Sequence, residues 1–465
     1  MNTKLDEFKA YIKGKKAAVL GIGISNTPLI KYLYALGADI TAFDKNGEEK
    51  LAPMLNQFKG LDLKYSLGEG YLGKLKEGFD LIFRTPGMRY DLPELLEACE
   101  RGAKLTSEME VFFDLCPAQI FAVTGSDGKT TTTTIIYNLL KEQGYKCWLG
   151  GNIGTPLLDR IDEIGSEDKV IVELSSFQLH TMKKSADVAV ITNLSPNHLD
   201  IHKSVEEYYE AKKNIFKYQS PMGKVILNFD NLITRNTAKE VPSNFVFFSR
   251  LNSLDEGACI KDGKLVFITE GNAKEIVDVC EIGIPGVHNI ENYLAAIAAV
   301  EGYVTPEVIR NVAVNFKGVE HRIELVRELN GVKYYNDSIA SSPSRTTAGL
   351  NSFNQKVILI AGGKDKGIPY DAIGEVIVRK VKTLILIGAT APKIEKALKD
   401  EIAKTGEGSD IQVLKCSTYE EVVRTAYECA KPGDVVILSP ASTSFDMFRN
   451  FEERGNKFKE LVNAL

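Results

Sequence analysis

The stretch that decides the fold comprises residues 121–131 and reads FAVTGSDGKTT. An apolar run ending at Val123 predicts a buried strand, two glycines bracket a tight turn, and the apolar spacing after Thr131 predicts a helix. A glycine turn between a strand and a helix can cradle phosphate, because backbone N–H groups and the helix N-terminus point at the anion. Lys129 would neutralise charge and Thr130 would ligate magnesium, so we predict a nucleoside triphosphate here.

The spacing of this loop differs from the common phosphate-loop pattern. That pattern, G-x-x-x-x-G-K-[ST], has four residues between its glycines. Here only two residues separate Gly125 from Gly128. An ordinary glycine turn before a helix therefore remains an alternative on this stretch alone, and other parts of the chain must decide.

The composition is typical of a large folded protein. A chain of 465 residues exceeds the size of one hydrophobic core, so several domains are expected, and we predict three. Hydrophobic residues make up 44% and charged residues 26%, which disfavours disorder. The net charge of -5 gives no reason to expect nucleic-acid binding. We find no apolar signal core and no run of about 18 apolar residues, so we predict neither export nor membrane insertion.

The seven cysteines are widely spaced and form no C-x-x-C pair. This pattern argues against a disulfide framework or structural zinc and suits a reducing compartment. We therefore predict a cytoplasmic protein, and we expect it to act as a monomer.

Residues 16–44 predict a βαβ unit with the glycine turn GIGISN at residues 21–26. The unit resembles the dinucleotide fingerprint, in which an acidic residue about 20 positions on, here Asp44, binds a ribose hydroxyl. Asn26 stands where the third glycine is expected, so a nucleotide site and a plain α/β packing unit both remain open. A further buried strand ends in a turn with Gly87, which would face the same crevice.

The order of predicted elements indicates an α/β fold of three domains. We expect a Rossmann-like N-terminal domain at 1–107 and a second Rossmann-like domain at 315–465. Between them, at 108–314, we expect a P-loop ATPase-type parallel sheet to which small antiparallel strands are added. In this central region, apolar runs end in clusters of polar residues, which is the pattern of strands buried on both faces of a parallel sheet.

Glu173 and His198 follow two of these buried strands. The carboxyl ends of neighbouring parallel strands meet at one edge, so both side chains could lie near Thr130. The alternatives are a helix-capping glutamate and a surface histidine, but the position at two strand ends favours magnesium ligands. Composition does not distinguish Lys213 from Lys212, and both would normally be solvated charges.

The short loop spacing resembles the G-T-N-G-K-[ST]-[ST] loop of the Mur ligase and folylpolyglutamate synthetase superfamily. Four further motifs match that superfamily in order, namely ELSSFQ at 173–178, NHLD at 197–200, GVHNIEN at 286–292 and VEHR at 319–322. The resemblance covers essentially the whole chain. It implies an ATP- and magnesium-dependent ligase that forms an amide through an acyl phosphate.

Within the superfamily, the turn at 21–26, the GNIG motif at 151–154 and residues 439–451 resemble the members that build peptidoglycan precursors. The resemblance implies UDP-N-acetylmuramoyl-L-alanine as the donor and D-glutamate as the acceptor. Such a reaction would serve cell-wall growth, and through it cell shape and division.

The resemblance also assigns roles to individual residues. The catalytic positions are Lys129, His198 and Lys213, and Lys213 matches the lysine that the family carbamylates because it follows Tyr209 in Y-x-x-x-K. The magnesium ligands would be Thr130, Glu173, His198 and Lys213. The ATP contacts would be Gly125, Ser126, Asp127, Gly128, Lys129, Thr130, Thr131, Asn289, Asn292, Arg322 and Asp337. The donor contacts would be Ser25, Asn26, Asp44, Gly87, Asn152, Ser175 and Gln178, and the acceptor contacts Ser341, Lys366, Ser444, Phe445 and Phe451.

One position departs from the family pattern. The motif N-D-S-K-A-T reads NDSIAS at residues 336–341, so Ile339 replaces a lysine of the acceptor site. Another amino-acid-adding ligase of the superfamily therefore stays an alternative. Outside this class, a dehydrogenase built on residues 21–44 or a non-catalytic nucleotide-binding module also remains open.

Overall fold

The computed structural model describes residues 2–23, 25–196 and 201–465. These residues form two compact units. The first contains Met1–Cys280 with Glu291–Val312, and the second contains Glu281–Ile290 with Ala313–Leu465. The predicted α/β class is confirmed, because each unit is built from largely parallel sheets flanked by helices. The domain boundaries at 107 and 314 stay a prediction.

The first unit begins with a five-stranded parallel sheet of order β3-β2-β1-β4-β5, as expected for a Rossmann-like domain. Its strands are β1 (Lys16–Leu20), β2 (Asp39–Asp44), β3 (Lys64–Leu67), β4 (Leu81–Phe83) and β5 (Lys104–Thr106). Its helices are α1 (Thr3–Ile12), α2 (Asn26–Ala35), α3 (Glu48–Leu55) and α4 (Pro93–Glu100). Apolar runs form the central strands because both faces of the sheet are covered.

The second sheet of this unit has nine strands in the order β14-β13-β12-β11-β10-β9-β6-β8-β7. The strands are β6 (Gln119–Thr124), β7 (Cys147–Gly151), β8 (Lys169–Glu173), β9 (Val188–Ile191), β10 (Lys224–Asn228), β11 (Asn244–Ser249), β12 (Gly257–Lys261), β13 (Lys264–Thr269) and β14 (Asn272–Asp278). The strands from β12 to β14 pair antiparallel, which confirms the predicted antiparallel addition to a P-loop-type sheet.

Helices α5 (Glu108–Leu115), α6 (Lys129–Glu142), α7 (Ser176–Leu179), α8 (Val205–Lys213), α9 (Leu232–Thr237), α10 (Val287–Val300) and α11 (Pro306–Asn315) accompany the second sheet along the chain. Strand β6 lies between β8 and β9, with Val123 opposite Glu173 and Thr124 opposite Ile191. The carboxyl ends of these three strands therefore meet at one edge, where α6 begins.

The second unit contains a six-stranded sheet of order β15-β16-β20-β17-β18-β19, in which only β15 runs antiparallel to its neighbour among the described strands. Its strands are β15 (Glu324–Leu329), β16 (Val332–Asn336), β17 (Val357–Ala361), β18 (Val381–Leu386), β19 (Gln412–Lys415) and β20 (Val435–Leu438). Its helices are α12 (Pro343–Asn351), α13 (Ile373–Lys380), α14 (Ala391–Thr405), α15 (Tyr419–Cys429) and α16 (Phe451–Asn463).

Two clusters of apolar side chains pack against the sheet of the second unit. Within the described residues, no helix combines the length and the apolar character that crossing a membrane requires.

Candidate active site

The glycine loop between β6 and α6 is shaped so that only glycine fits at two positions. Gly125 and Gly128 have φ angles of +148° and +78°. A Cβ at Gly125 would lie 1.9 Å from Thr192 Oγ1, and one at Gly128 would lie 2.4 Å from Asn292 Oδ1. The backbone is therefore pressed against the end of β9 and against α10, which holds the loop in one conformation.

Lys129 is the first residue of α6, and its side chain folds back over the loop. Its Nζ donates to the carbonyl oxygens of Gly125 at 3.1 Å and Ser126 at 2.9 Å. The hydroxyl of Ser126 lies on the inner side, 2.9 Å from Ser195 O and 3.0 Å from Tyr208 Oη. Asp127 N donates to Asn193 Oδ1 at 2.9 Å. The loop is thus fastened by its own side chains, and its lysine stands at a helix N-terminus, the kind of position at which proteins commonly bind phosphate.

A group of polar side chains lies beside the loop at the ends of β7 and β8. Glu173 is 1% exposed, and its two oxygens accept from Thr130 Oγ1 at 2.7 Å and from Asn152 Nδ2 at 2.8 Å. A buried carboxylate next to a threonine hydroxyl is a donor set that fits a hard divalent cation. The sequence prediction thus brought Thr130 and Glu173 together correctly in space, while their roles stay a prediction.

Lys213, which was expected at this site, has other partners in the structure. Its Nζ pairs with Glu210 at 2.7 Å and with Glu240 at 2.8 Å, on the outer side of α8. Partial burial opposes charging, but these carboxylates raise the pKa of the Lys213 ammonium. Lys212 points inward instead, and its Nζ donates to Gly125 O at 2.7 Å and to Thr124 Oγ1 at 3.2 Å.

The side chain of Lys212 is buried under the loop, with 2% of the residue exposed. Burial, reinforced by the charge of Lys129, lowers the pKa of the Lys212 amine well below its usual value of 10.5. A signal for this residue was present in the sequence. Tyr208 and Lys212 satisfy Y-x-x-x-K as well as Tyr209 and Lys213 do, and the structure separates the two pairs because Tyr208 and Lys212 lie on the buried face of α8.

His198 lies outside the described residues. Among the described residues, His180, His202 and Glu207 place one donor atom each within 4.8 Å of one another. Arg89 binds both oxygens of Glu207, at 3.0 and 3.2 Å, so this carboxylate is neutralised by a guanidinium. We therefore assign the three residues to the contact between the first two sheets.

The donor-binding candidates of the first sheet are largely engaged in building their own turn. Asn26 Nδ2 donates to the carbonyl oxygens of Leu20 and Gly21 at 3.0 and 2.9 Å. Asp44 accepts from Ile22 N at 2.8 Å. Ser25 is exposed, as is Gly87 in the turn after β4, so these two are open to a ligand.

The donor-binding candidates of α7 form a capping box. Ser175 is the N-cap, its Oγ accepts from Gln178 N, and Gln178 Oε1 accepts from Ser175 N at 3.0 Å. This box follows β8 closely, since Ser175 and Gln178 lie two and five residues beyond Glu173 along the chain. The capping box was not foreseen.

Two of the ATP-contact candidates lie on α10, in different units. Asn292, in the first unit, accepts from Thr132 Oγ1 at 3.2 Å and contacts the loop at Gly128. Asn289, in the second, donates to Pro285 O at 2.6 Å. Both are buried, at 5% and 6% exposure, so neither is a simple surface cap.

In the second unit, Asp337 follows β16 and is buried, with Oδ2 accepting from Ser439 Oγ at 2.7 Å. Burial raises the pKa of Asp337 to about 7, against the opposing effects of this hydrogen bond and of the charges on Arg322 and Arg345. The assignment of Arg322 and Asp337 to ATP stays a prediction.

Two of the acceptor candidates are in contact. Lys366 Nζ donates to Ser341 Oγ at 3.4 Å, which brings a cation to the segment that follows Ile339. Arg345 Nη1 donates to Ile339 O at 3.4 Å, so a guanidinium reaches the position where the family lysine is missing.

The other three acceptor candidates follow β20. Ser444 is buried, and its carbonyl accepts from the amides of Met447 and Phe448. Phe445 is 60% exposed, whereas Phe451 begins α16 and packs edge-on against His321 with ring centres 5.9 Å apart. Only Phe445 among these three offers a large exposed surface.

A parallel sheet with a glycine loop, a lysine at the helix start and a buried carboxylate beside it defines a P-loop nucleotide-binding protein. Comparison with known proteins narrows this class. Residues 123–300 match the protein family described as "Mur ligase middle domain", and residues 321–442 match the family described as "Mur ligase, glutamate ligase domain". The chain belongs to the Mur ligase family.

Three curated relatives match along the full length of both chains, and each is called UDP-N-acetylmuramoylalanine–D-glutamate ligase. Those of Acetivibrio thermocellus and Ruminiclostridium cellulolyticum are 69% and 62% identical over 465 residues. That of Clostridium novyi is 52% identical over 469 aligned positions.

Solved structures share the fold at low sequence identity. UDP-N-acetylmuramate-alanine ligase MurC of Thermotoga maritima matches with a TM-score of 0.58 at 18% identity, covering 97% of this chain and 99% of its own. MurF ligase of the same organism, in complex with ADP, matches with a TM-score of 0.55 at 19% identity, covering 98% and 97%.

Proposed function

We propose that this protein joins UDP-N-acetylmuramoyl-L-alanine to D-glutamate with the consumption of ATP, a step in peptidoglycan precursor synthesis. The full-length identity of 69% to a relative of that name supports the substrates. The observation that carries the chemistry is the buried Glu173 carboxylate, which shares Thr130 with the phosphate loop. A dehydrogenase is disfavoured, because the turn at residues 21–26 is closed by Asn26 rather than by a third glycine.

In the first step, the terminal carboxylate of the donor attacks the γ-phosphorus of ATP, giving an acyl phosphate and ADP. Lys129 stabilises the charge on the transferring phosphoryl group, and the loop amides orient the phosphates. Magnesium, held by Thr130, Glu173 and His198, would neutralise phosphate charge when bound. Positioning by the rigid glycine loop supplies much of the rate, since phosphoryl transfer needs little covalent help from the protein.

In the second step, the neutral amine of D-glutamate attacks the acyl carbon, the C–N bond forms, the C–O bond to the phosphate breaks, and the proton lost by the amine leaves with phosphate. Lys366 and Ser341 are proposed to hold a carboxylate of the acceptor, with Ser444, Phe445 and Phe451 completing its pocket. Arg345 is proposed to supply the positive charge that Ile339 does not. Arg322, Asp337, Asn289 and Asn292 remain the proposed ATP contacts.

We further propose that Lys212, rather than Lys213, is the lysine that becomes carbamylated. Its neutral amine attacks carbon dioxide, the C–N bond forms and one proton is released, which leaves a carboxylate-like group. The lowered pKa of Lys212 supports this step, because only the unprotonated amine is a nucleophile. The new anion would lie beside Thr124 and Gly125, near Glu173, and would share in holding magnesium.

The pair of adjacent lysines offers a matched test. Lys212→Ala is expected to lower kcat by about 100-fold or more, with partial recovery when a small carboxylate such as formate is added. Lys213→Ala removes a surface ion pair and should change kcat by less than about twofold. Equal losses in both variants, or a loss confined to Lys213→Ala, would contradict the assignment.

Phosphate release tests the substrates directly. With ATP, magnesium and UDP-N-acetylmuramoyl-L-alanine present, D-glutamate should stimulate release well above L-glutamate, L-alanine, glycine or a diamino acid. Stimulation by another amino acid alone would replace the proposed acceptor and favour another ligase of the family. If no amino acid stimulates release, a non-catalytic nucleotide-binding role gains support.

The compartment and the assembly state are proposals as well. All seven cysteines are free in the structure, which agrees with the predicted reducing cytoplasm. We propose a monomer, which sedimentation at working concentration would test.

A further inference from the structure

Arg84 directly follows β4 and is only 2% exposed, which is unusual for an arginine. A buried guanidinium is costly unless its donors are satisfied. Its Nη1 donates to the carbonyl oxygens of Pro86 at 3.0 Å and Met88 at 2.6 Å, and at 3.4 Å to that of Thr85. The three carbonyls of the turn at residues 85–88 are therefore turned inward onto one cation.

The second terminal nitrogen of Arg84 reaches the helix that follows β8. Nη2 donates to Phe177 O at 3.3 Å and to Thr181 Oγ1 at 3.0 Å. Phe177 lies within α7, between the capping-box residues Ser175 and Gln178. One planar group thus joins the turn of the first sheet to the helix that carries two donor-binding candidates.

The same segment is anchored again five residues later. Arg89 binds Asp91 through Nε and Nη2, and it binds Glu207 on α8 through both terminal nitrogens. The turn between these two arginines remains accessible, because Gly87 is exposed and a Cβ there would meet no atom within 4 Å. Both ends of the segment are fixed, whereas its tip is open to a ligand.

We propose that Arg84 is a positioning residue for the nucleotide-linked donor, fixing the turn at residues 85–88 against α7 so that Gly87, Ser175 and Gln178 face one substrate. By drawing three carbonyl oxygens inward, Arg84 also removes their negative ends from the surface that receives an anionic diphosphate. The inference rests on the proposed function, since it takes the donor to be a UDP-linked precursor.

Calorimetric binding of UDP-N-acetylmuramoyl-L-alanine tests this proposal independently of turnover. Arg84→Met should weaken donor binding by about tenfold or more, whereas a non-hydrolysable ATP analogue should bind within about twofold of wild type. Arg84→Lys should recover part of the donor affinity, because an ammonium can still bind the turn carbonyls but cannot span to α7. Arg101→Met, which removes an exposed arginine at the end of α4, is the matched control and should leave both affinities unchanged.

A milder pair of variants keeps the test decisive if Arg84→Met does not fold. Thr181→Val removes one acceptor of Nη2, whereas Thr181→Ser keeps the hydroxyl, so only the former should weaken donor binding. Equal weakening of donor and ATP-analogue binding, or donor binding unchanged in both Arg84→Met and Thr181→Val, would overturn the inference. Failure of the wild-type protein to bind the donor at all would instead refute the proposed function.

Discussion

Two glycine turns of the first unit connect a parallel strand to a helix, one at residues 21–26 and the other at residues 125–129. In the first turn, the side-chain amide of Asn26 donates hydrogen bonds to two backbone carbonyls, and the Asp44 carboxylate accepts one from a backbone N–H of the turn. In the second, Lys129 lies across two carbonyls at 2.9 and 3.1 Å. The first turn is completed by uncharged and anionic groups, the second by a cation.

This difference shows what a glycine turn needs in order to hold phosphate. The side-chain amide of Asn26 holds its turn together through hydrogen bonds within the fold, and the residue is only 4% exposed. The Lys129 ammonium can exchange neutral carbonyl oxygens for charged phosphate oxygens, which are stronger acceptors. Similar turns therefore differ in function through the side chain that completes them.

The largest expected effect comes from removing the cation of the second turn. Lys129→Ala should lower kcat/KM by about 1,000-fold, because charge on the transferring phosphoryl group loses its partner. Lys31→Ala, an exposed lysine in the helix after the first turn, should leave activity unchanged. The thermal unfolding midpoint of both variants should stay near that of wild type, and full activity in Lys129→Ala would remove the distinction between the turns.

A second contrast compares glycines of the two turns. Gly125→Ala would place a methyl group 1.9 Å from Thr192 Oγ1 and 3.1 Å from Asn193 O, so ATP-analogue binding should fall by about tenfold or more. Gly23→Ala meets no atom within 4 Å and should change neither binding nor stability appreciably. Calorimetry and thermal unfolding measure both, and an unaffected Gly125→Ala would mean that the loop is less rigid than its geometry indicates.

Asn26→Gly introduces the third glycine of the dinucleotide fingerprint and tests what Asn26 contributes to the stability of the fold. Two hydrogen bonds are lost, so the free energy of unfolding should fall by about 1 to 3 kcal/mol in denaturant titration. A variant that kept its stability but lost donor binding would make Asn26 chiefly a ligand contact, contrary to the comparison.

The smallest expected effect is a pH dependence of the free energy of unfolding, which comes from Lys212 beneath the second turn. Between the lowered pKa of Lys212 and its usual value of 10.5, the unfolded chain binds a proton that the folded chain does not. The free energy of unfolding therefore falls as pH falls through this range. Lys212→Met should raise the unfolding midpoint by about 2 °C or more near pH 7 and by less near pH 10, in buffer free of carbon dioxide.

Lys213→Met provides the control for that measurement. The pKa of Lys213 is raised, so its contribution is present at neutral pH and is lost only as pH rises through the folded value. The variant should not be stabilised at neutral pH. An unfolding midpoint that rises equally in both variants would contradict the burial of Lys212.

Most of the fold could be predicted from the sequence, because each strand that is buried on both faces is an apolar run followed by a cluster of polar residues. The runs ending at Val123 and Leu174 mark β6 and β8, and their polar ends carry Lys129, Thr130 and Glu173. Adjacent parallel strands meet at one edge, so sequence order was enough to bring Thr130 and Glu173 together.

The side-chain direction on α8 could not be predicted in the same way. Successive helical residues differ in direction by about 100°, so Lys212 and Lys213 face different surroundings although both fit the motif spacing. The choice depends on burial against the loop, which is a tertiary property. The structural roles of Asn26 and Asp44 were missed for a related reason, since side chains that complete a turn and side chains that bind a ligand are the same residue types.

In the helix that begins at the phosphate loop, Lys129 is followed by five consecutive threonines, Thr130 to Thr134. β-Branched residues form helix poorly, and the hydroxyls of Thr133 and Thr134 bond back to the carbonyls of Lys129 and Thr130, each at 2.8 Å. Such a segment cannot nucleate a helix by itself and must wait for its neighbouring strands. We therefore expect the first turns of α6 to form late in folding, so that ATP competence is acquired only after the central sheet has assembled.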